Sequence, residues 1–327
     1  MDVSDHITRA KGLRRKRYDR DQAEALPMRL TARDIEIVRH VARHRFLRSD
    51  HIEQLVGDTA RIPRRLQALF KNGYLDRPKA QLIYYAKAGS ERMAYGLGQQ
   101  GARLLSEIDG ADIAKLNWTH KNKSVGQVFV HHTLMVADVM VGLEIATRST
   151  STERLIGEHQ ILDEAPDRTQ AMLSPHKVTA KVRYANRDYT MSLVPDTVLA
   201  LELGTDTVAE RVNFYLEADR GTMPVMRKAR SLGKDNRQTS ILGKLLTYYQ
   251  AWRDGHHKNR YGWENFRVLF VTTSPERVAT MLDAVNEITD GRGSALFLFA
   301  DIGEIAGADP LAYLWLNGKG ERVKLTD

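Results

Sequence analysis

The chain has 327 residues, 42% of them hydrophobic, and no cysteine. That length suits two cores, and the missing thiols exclude disulfides, thiolate catalysis and cysteine-based zinc fingers. The net charge of +8 is unevenly placed: residues 1–120 carry 23 Lys and Arg against 15 Asp and Glu, whereas residues 121–327 carry 26 of each. A positive excess confined to the first third points to a polyanion partner there, with double-stranded DNA the first choice.

No apolar run approaches the ~18–20 residues that span a bilayer, and the N-terminus lacks the apolar segment of a secretory signal. A cytoplasmic protein with no membrane partner is the expectation. Residues 1–29 hold a basic knot, KGLRRKRYDR, with no period of 2 or 3.6, and read as a flexible arm suited to lying along phosphates.

Residues 30–108 change character. Thr31 is placed to cap a helix through ARDIEIVRHVARHRF, with Ile35, Val38, Val41 and Ala42 at helical spacing. Ser49 is placed to cap a second helix bearing Ile52, Leu55 and Val56, stopped at Gly57. A third carries Ile62, Leu66, Leu69 and Phe70, has Pro63 in its first turn and ends at Gly73. LIYYAK and MAYGL read as strands, and GQQGARLLSEI as a closing helix. Three helices and then a strand pair is the order of a winged helix-turn-helix, whose third helix enters the major groove. Its polar face supplies Arg61, Arg64, Arg65, Gln67 and Lys71 for base edges and phosphates, and Arg77 and Lys79 suit backbone contacts near the wing. His40 and His44, spaced i,i+4, lack a recognisable third ligand and read as ordinary histidines.

Residues 109–126 are polar and read as a linker. From 127 to 327 the order is a long apolar helix, several strands, helix, strand, helix, strand: an α/β (mixed α+β) domain around a mixed sheet. The adjacent His131 and His132 point about 100° apart on the long helix and make a poor chelate. The candidate strands are RLIGEHQI, KVTAKVRY, YTMSLVPDTVLALEL and RVNFYLEAD, with a hairpin turn through Asn186, Arg187 and Asp188. Asp196 lies on one strand, and Glu217 and Asp219 end the next, two apart and so on one face. Three gathered carboxylates repel unless a cation neutralises them, and an oxygen-only set suits Mg²⁺ or Mn²⁺.

Pro195-Asp196 with Glu217-Ala218-Asp219 resembles the PD-(D/E)xK nuclease signature. Asp219 stands where those nucleases carry Lys, and the resemblance implies that Lys228 or Lys244 supplies the amine from a neighbouring element. The catalytic set is then Asp196, Glu217, Asp219 and Lys228, the first three also holding the metal. Over nearly its whole length the chain resembles the replication-relaxation family of bacterial mobile elements. The matching pieces are LTARDIEIVRHVARHRFLRSDHIEQL, RRLQALFKNGYLDR, YGLGQQGARLL, HHTLMVADVMVGL, PDTVLAL and FYLEADRGT.

The resemblance implies a DNA-binding protein of a plasmid or conjugative element, acting in replication, DNA relaxation or transfer. It carries a nuclease-like C-terminal domain whose activity the sequence leaves open. A metal-dependent endonuclease or nickase and a transcriptional repressor are the alternatives. Other replication or transfer proteins and a second copy of the chain are further partners considered. Tyr248 and Tyr249 lie on an apolar helix without a histidine cluster, so core packing accounts for them better than a relaxase-type nucleophile does.

Overall fold

A computed structural model describes residues 17–20, 27–57, 60–81, 92–110, 117–205, 208–225 and 240–327. It divides into two compact units, Met1–Val141 and Gly142–Asp327. The expected arm outside 17–20 and 27–29, the LIYYAK strand and Lys228 lie outside the described residues.

Among the described residues the first helix of the first unit is α1 (Ala32–His44), where Thr31 and Asp34 form a reciprocal capping box. Its inward positions are Asp34, Ile37, Val38, His40 and Val41, so Ile37 takes the place expected for Ile35. The helix stops short of the expected Phe46. Arg45 adopts φ 67°, and β1 (Phe46–Arg48) follows. Arg48, not Ser49, is the N-cap of α2 (Ser49–Val56), its backbone being extended at φ −76° and ψ 162°. Next come α3 (Ile62–Lys71), β2 (Leu75–Asp76), β3 (Ala94–Leu97) and α4 (Gln99–Asp109). β3 lies between β1 and β2 in one antiparallel sheet.

The polar junction holds a helix, α5 (Trp118–Ser124). Its Asn122 is 2% exposed and donates to the Leu97 carbonyl at 2.8 Å and to Asp76 Oδ2 at 3.1 Å. Those bonds tie it to β2 and β3, because a buried amide without partners costs several kcal/mol. The next helix, α6 (Gln127–Arg148), corrects one expectation: by length and composition it is apolar enough to cross a membrane. Its Asp138 carboxylate is nevertheless bonded to Arg48 and to His51, the latter at 2.8 Å.

The second unit is built on a seven-stranded mixed sheet. Its strands are β4 (Glu153–Ile156), β7 (Thr197–Thr205), β8 (Val208–Ala218), β9 (Arg267–Thr272), β10 (Ser294–Asp301), β11 (Trp315–Gly318) and β12 (Arg322–Val323). Across the sheet they stand in the order β12-β11-β10-β9-β8-β7-β4. β8 runs antiparallel to β7 and parallel to β9. RLIGEHQI is strand only to Ile156, and a short helix, Glu158–Asp163, then begins.

The single strand expected through YTMSLVPDTVLALEL is two. β5 (Val178–Tyr184) and β6 (Arg187–Leu193) form a separate hairpin, and β7 belongs to the main sheet. Pro195, which has no N–H to give a ladder, sits at the break. The hairpin turn is Ala185-Asn186, at φ 48° and 59°, and Arg187 and Asp188 already pair with β5. Two positive φ values are what a two-residue turn of this hand demands.

The helices α7 (Ile241–Arg253) and α8 (Pro275–Ile288) pack against one another, and the hairpin packs on α7. Tyr215 of β8 meets Tyr248 of α7 with ring centroids 5.4 Å apart, and Tyr248 meets Phe270 of β9 at 6.5 Å. All three are at most 1% exposed, and each contributes on the order of 1.5–3 kcal/mol by burial. Tyr248 is therefore a core residue, as its place on an apolar helix implies.

Candidate functional site

At the C-terminal end of β8 the apolar run Phe214, Tyr215, Leu216 gives way to Glu217 and, just past the strand, Asp219. Both are buried, at 1% and 6% exposure. Asp196 immediately precedes β7 and is half-buried. Its backbone N–H donates to the Leu216 carbonyl at 3.1 Å, and its Oδ2 accepts the Ala218 N–H at 2.7 Å. Antiparallel pairing of β7 with β8 thus fixes Asp196 beside the end of β8.

Glu217 and Asp219 each meet a cation of their own. Lys244 and Tyr248, one turn apart on α7, serve Glu217: Lys244 Nζ donates to Oε2, and the Tyr248 hydroxyl to Oε1 at 2.6 Å. Asp219 takes the Arg277 guanidinium from the first turn of α8, with Nη2 2.9 Å from Oδ1, and the Thr272 hydroxyl at 2.8 Å on Oδ2. Arg277 also donates to the Met223 carbonyl. Because α7 and α8 lie together, Glu217 and Asp219 share a face of the sheet.

Burial pushes the Glu217 carboxyl above its ordinary value and the nearby Asp196 charge adds to this, while Lys244 and Tyr248 pull it back. Burial lowers Lys244, but Glu217 and then Asp196 outweigh it, so the amine is held as an ammonium. Of the two lysines named for the missing amine, the described residues place Lys244 at the carboxylates. Sequence reasoning does not reach Arg277. Its only signal there is a cation in the first turn after the Ser274 cap, where a helix ordinarily prefers an acid.

The third-helix residues divide into two groups. Arg61, the N-cap of α3, and Arg64 and Gln67 on the helix are exposed, opposite the buried Ile62, Leu66, Leu69 and Phe70, and Lys71 is half-buried. Arg65 turns inward: its Nε lies 2.9 Å from Oδ1 of the fully buried Asp34, and its Nη2 donates to Oδ2. Arg77 lies over the Phe70 ring at 4.3 Å and donates to the Arg17 carbonyl and the Tyr95 hydroxyl. Lys79 pairs with Asp19. Arg20 bonds the Phe70 and Leu75 carbonyls and Asp76, which anchors residues 17–20 against the end of α3.

A model of the replication-relaxation family matches residues 38–265, more than two thirds of the chain. The chain belongs to the replication-relaxation family. Membership places this replication-relaxation protein in the replication or relaxation of plasmids or mobile elements. The matched span contains α3, Asp196, Glu217, Asp219 and Lys244, whereas Arg277 lies beyond it. No curated protein and no solved structure matches the chain.

Proposed function

We propose that this replication-relaxation protein binds duplex DNA through its first unit, which acts as a winged helix, and carries a nuclease-like domain as its second. Among the described residues the element order α1-β1-α2-α3-β2-β3, with β3 between β1 and β2, supports the winged-helix reading. One observation carries the DNA proposal. α3 buries one face completely and leaves Arg61, Arg64 and Gln67 outward, the residue types that bond base edges and phosphates. Arg65 and Arg77 are committed to internal contacts and Lys79 is paired with Asp19, so the contacting set narrows to Arg61, Arg64, Gln67 and Lys71. Fluorescence anisotropy of the full chain on duplex DNA, with and without Arg61→Ala and Arg64→Ala, tests it. Unchanged affinity in the double variant removes α3 from the interface.

A second reading, metal-dependent nicking of DNA, is favoured by the arrangement around Glu217. The strand order β4-β7-β8-β9 sets Asp196 and Glu217 at one end of neighbouring strands, with a lysine from the following helix against Glu217. The donor set fits Mg²⁺ or Mn²⁺ in chemistry, being carboxylate oxygen only. Asp196 and Glu217 are its members; Asp219 is held by Arg277 and Thr272 instead. A divalent ion bound there supplies water activation and phosphoryl charge stabilisation. Within the chain, Tyr248 orients Glu217 and Lys244 holds an ammonium beside it. Supercoiled plasmid incubated with the protein and Mg²⁺ or Mn²⁺ tests this reading. Nicking that Glu217→Gln removes supports it, and intact plasmid under every condition sinks it.

A further inference from the structure

Glu217 is 1% exposed, and both of its oxygens already accept hydrogen bonds from α7, Oε1 from Tyr248 and Oε2 from Lys244. A divalent ion that takes Oε2 while the ammonium stays sets two cations side by side in a buried place. Like charges brought together out of water are expensive, and the ammonium would also lose the oxygen that offsets its own burial. The same ion with the ammonium withdrawn meets the carboxylate without a competing cation, so that arrangement wins.

Lys244 is able to withdraw. Its side chain is 16% exposed, it hangs on a flexible four-carbon stem, and an ammonium is strongly hydrated once it reaches water. Tyr248 has no such freedom, being fully buried among Tyr215 and Phe270. One oxygen of Glu217 is therefore held permanently and the other exchangeably.

Resting on the metal reading of the Asp196–Glu217 site, we propose that Lys244 is the resident counter-ion of Glu217 and competes with a divalent cation for Oε2, so that the ammonium leaves before a metal binds. The affinity of the full chain for a bare divalent ion is then lowered by the work of breaking the Lys244–Glu217 pair. This makes the lysine a gate on metal loading.

Calorimetric titration of the full chain with MnCl₂, without DNA, tests the proposal on wild type, Lys244→Met and Glu217→Gln. Methionine keeps much of the stem and removes the charge. Lys244→Met is expected to bind Mn²⁺ at least about tenfold more tightly than wild type, and Glu217→Gln to lose binding. Equal or weaker binding by Lys244→Met overturns the gate and leaves the metal reading standing. No Mn²⁺ binding by any variant overturns the metal reading itself, and the gate with it. Should Lys244→Met fail to fold, ¹⁵N-lysine-labelled wild type answers the question. The Lys244 Nζ signal, protected in the pair, is expected to vanish into fast solvent exchange on Mg²⁺ addition. A signal unchanged at saturating Mg²⁺ overturns the proposal.

Discussion

Arg277 holds Asp219 across 58 positions of sequence, its Nη2 lying 2.9 Å from Oδ1 while its Nε donates to Oδ2. The pair joins the end of β8 to the first turn of α8, and both partners are mostly out of water. Removing one partner strands the other charge in a poorly solvated place. Arg277→Ala is therefore expected to lose about 3–5 kcal/mol of unfolding free energy in urea. A loss under about 0.5 kcal/mol, typical of an exposed site, would show that water already screens Asp219.

Arg65 and Arg64 are neighbours on α3 with opposite duties. Arg65 neutralises Asp34, which is fully buried in α1, whereas Arg64 is exposed. Arg65→Ala is expected to cost on the order of 3 kcal/mol of stability, because Asp34 is left without its guanidinium. Arg64→Ala should leave stability within about 0.5 kcal/mol and weaken DNA binding by about 1–3 kcal/mol if it reaches a base. Thermal unfolding and anisotropy on the same two variants separate the roles.

Binding to DNA should depend steeply on salt. A variant that can no longer reach one phosphate is expected to show a slope of log K against log salt shallower by about 0.9. Lys71→Ala and Arg61→Ala, assayed from 50 to 200 mM salt (about the range where such slopes are read), give the number of phosphates met. A slope unaffected by both substitutions argues that neither side chain meets a phosphate.

Asp138 is expected to make the first unit acid-sensitive. Burial raises its carboxyl, but the hydrogen bonds from His51 and Arg48 and their charges outweigh it, so the folded value lies below the ordinary 3.8. A carboxyl depressed on folding contributes stability that is present above its unfolded value and lost as pH falls through the folded one. Asp34 is shifted the same way, where Arg65 and Thr31 overcome burial. Stability of the chain is thus expected to decline as pH drops below about 4. Asp138→Asn should flatten that decline while lowering stability at pH 7. Denaturant midpoints measured from pH 6 to 2 check it, and an unchanged slope in the variant would place the acid sensitivity elsewhere.

Much of the architecture is written in local pattern. The 3.6-residue spacing of Ile62, Leu66, Leu69 and Phe70, the Thr31 and Ser274 caps and the apolar runs of β8, β9 and β10 predict their elements because periodicity and capping act within a few residues. β1 escapes such reading, since three residues carry no period, and the helix pattern of α1 runs on into it until Arg45 turns the chain. The break at Pro195 is present in the sequence. Which sheet each half joins is not, because strand pairing is a contact between distant segments.

The site follows the same division. The sequence by itself determined that Asp196, Glu217 and Asp219 interrupt apolar strands and that cations cluster on the outer face of α3. Only the tertiary structure decided that Lys244, 27 residues from Glu217, bonds its carboxylate. It also decided that Arg277 claims Asp219 and that Arg65 turns inward to Asp34. A buried charge takes whichever opposite charge packing brings within hydrogen-bond reach. Packing is set by the meeting of α7, α8 and the sheet in one unit and of α1 and α3 in the other, over separations that no local sequence pattern encodes.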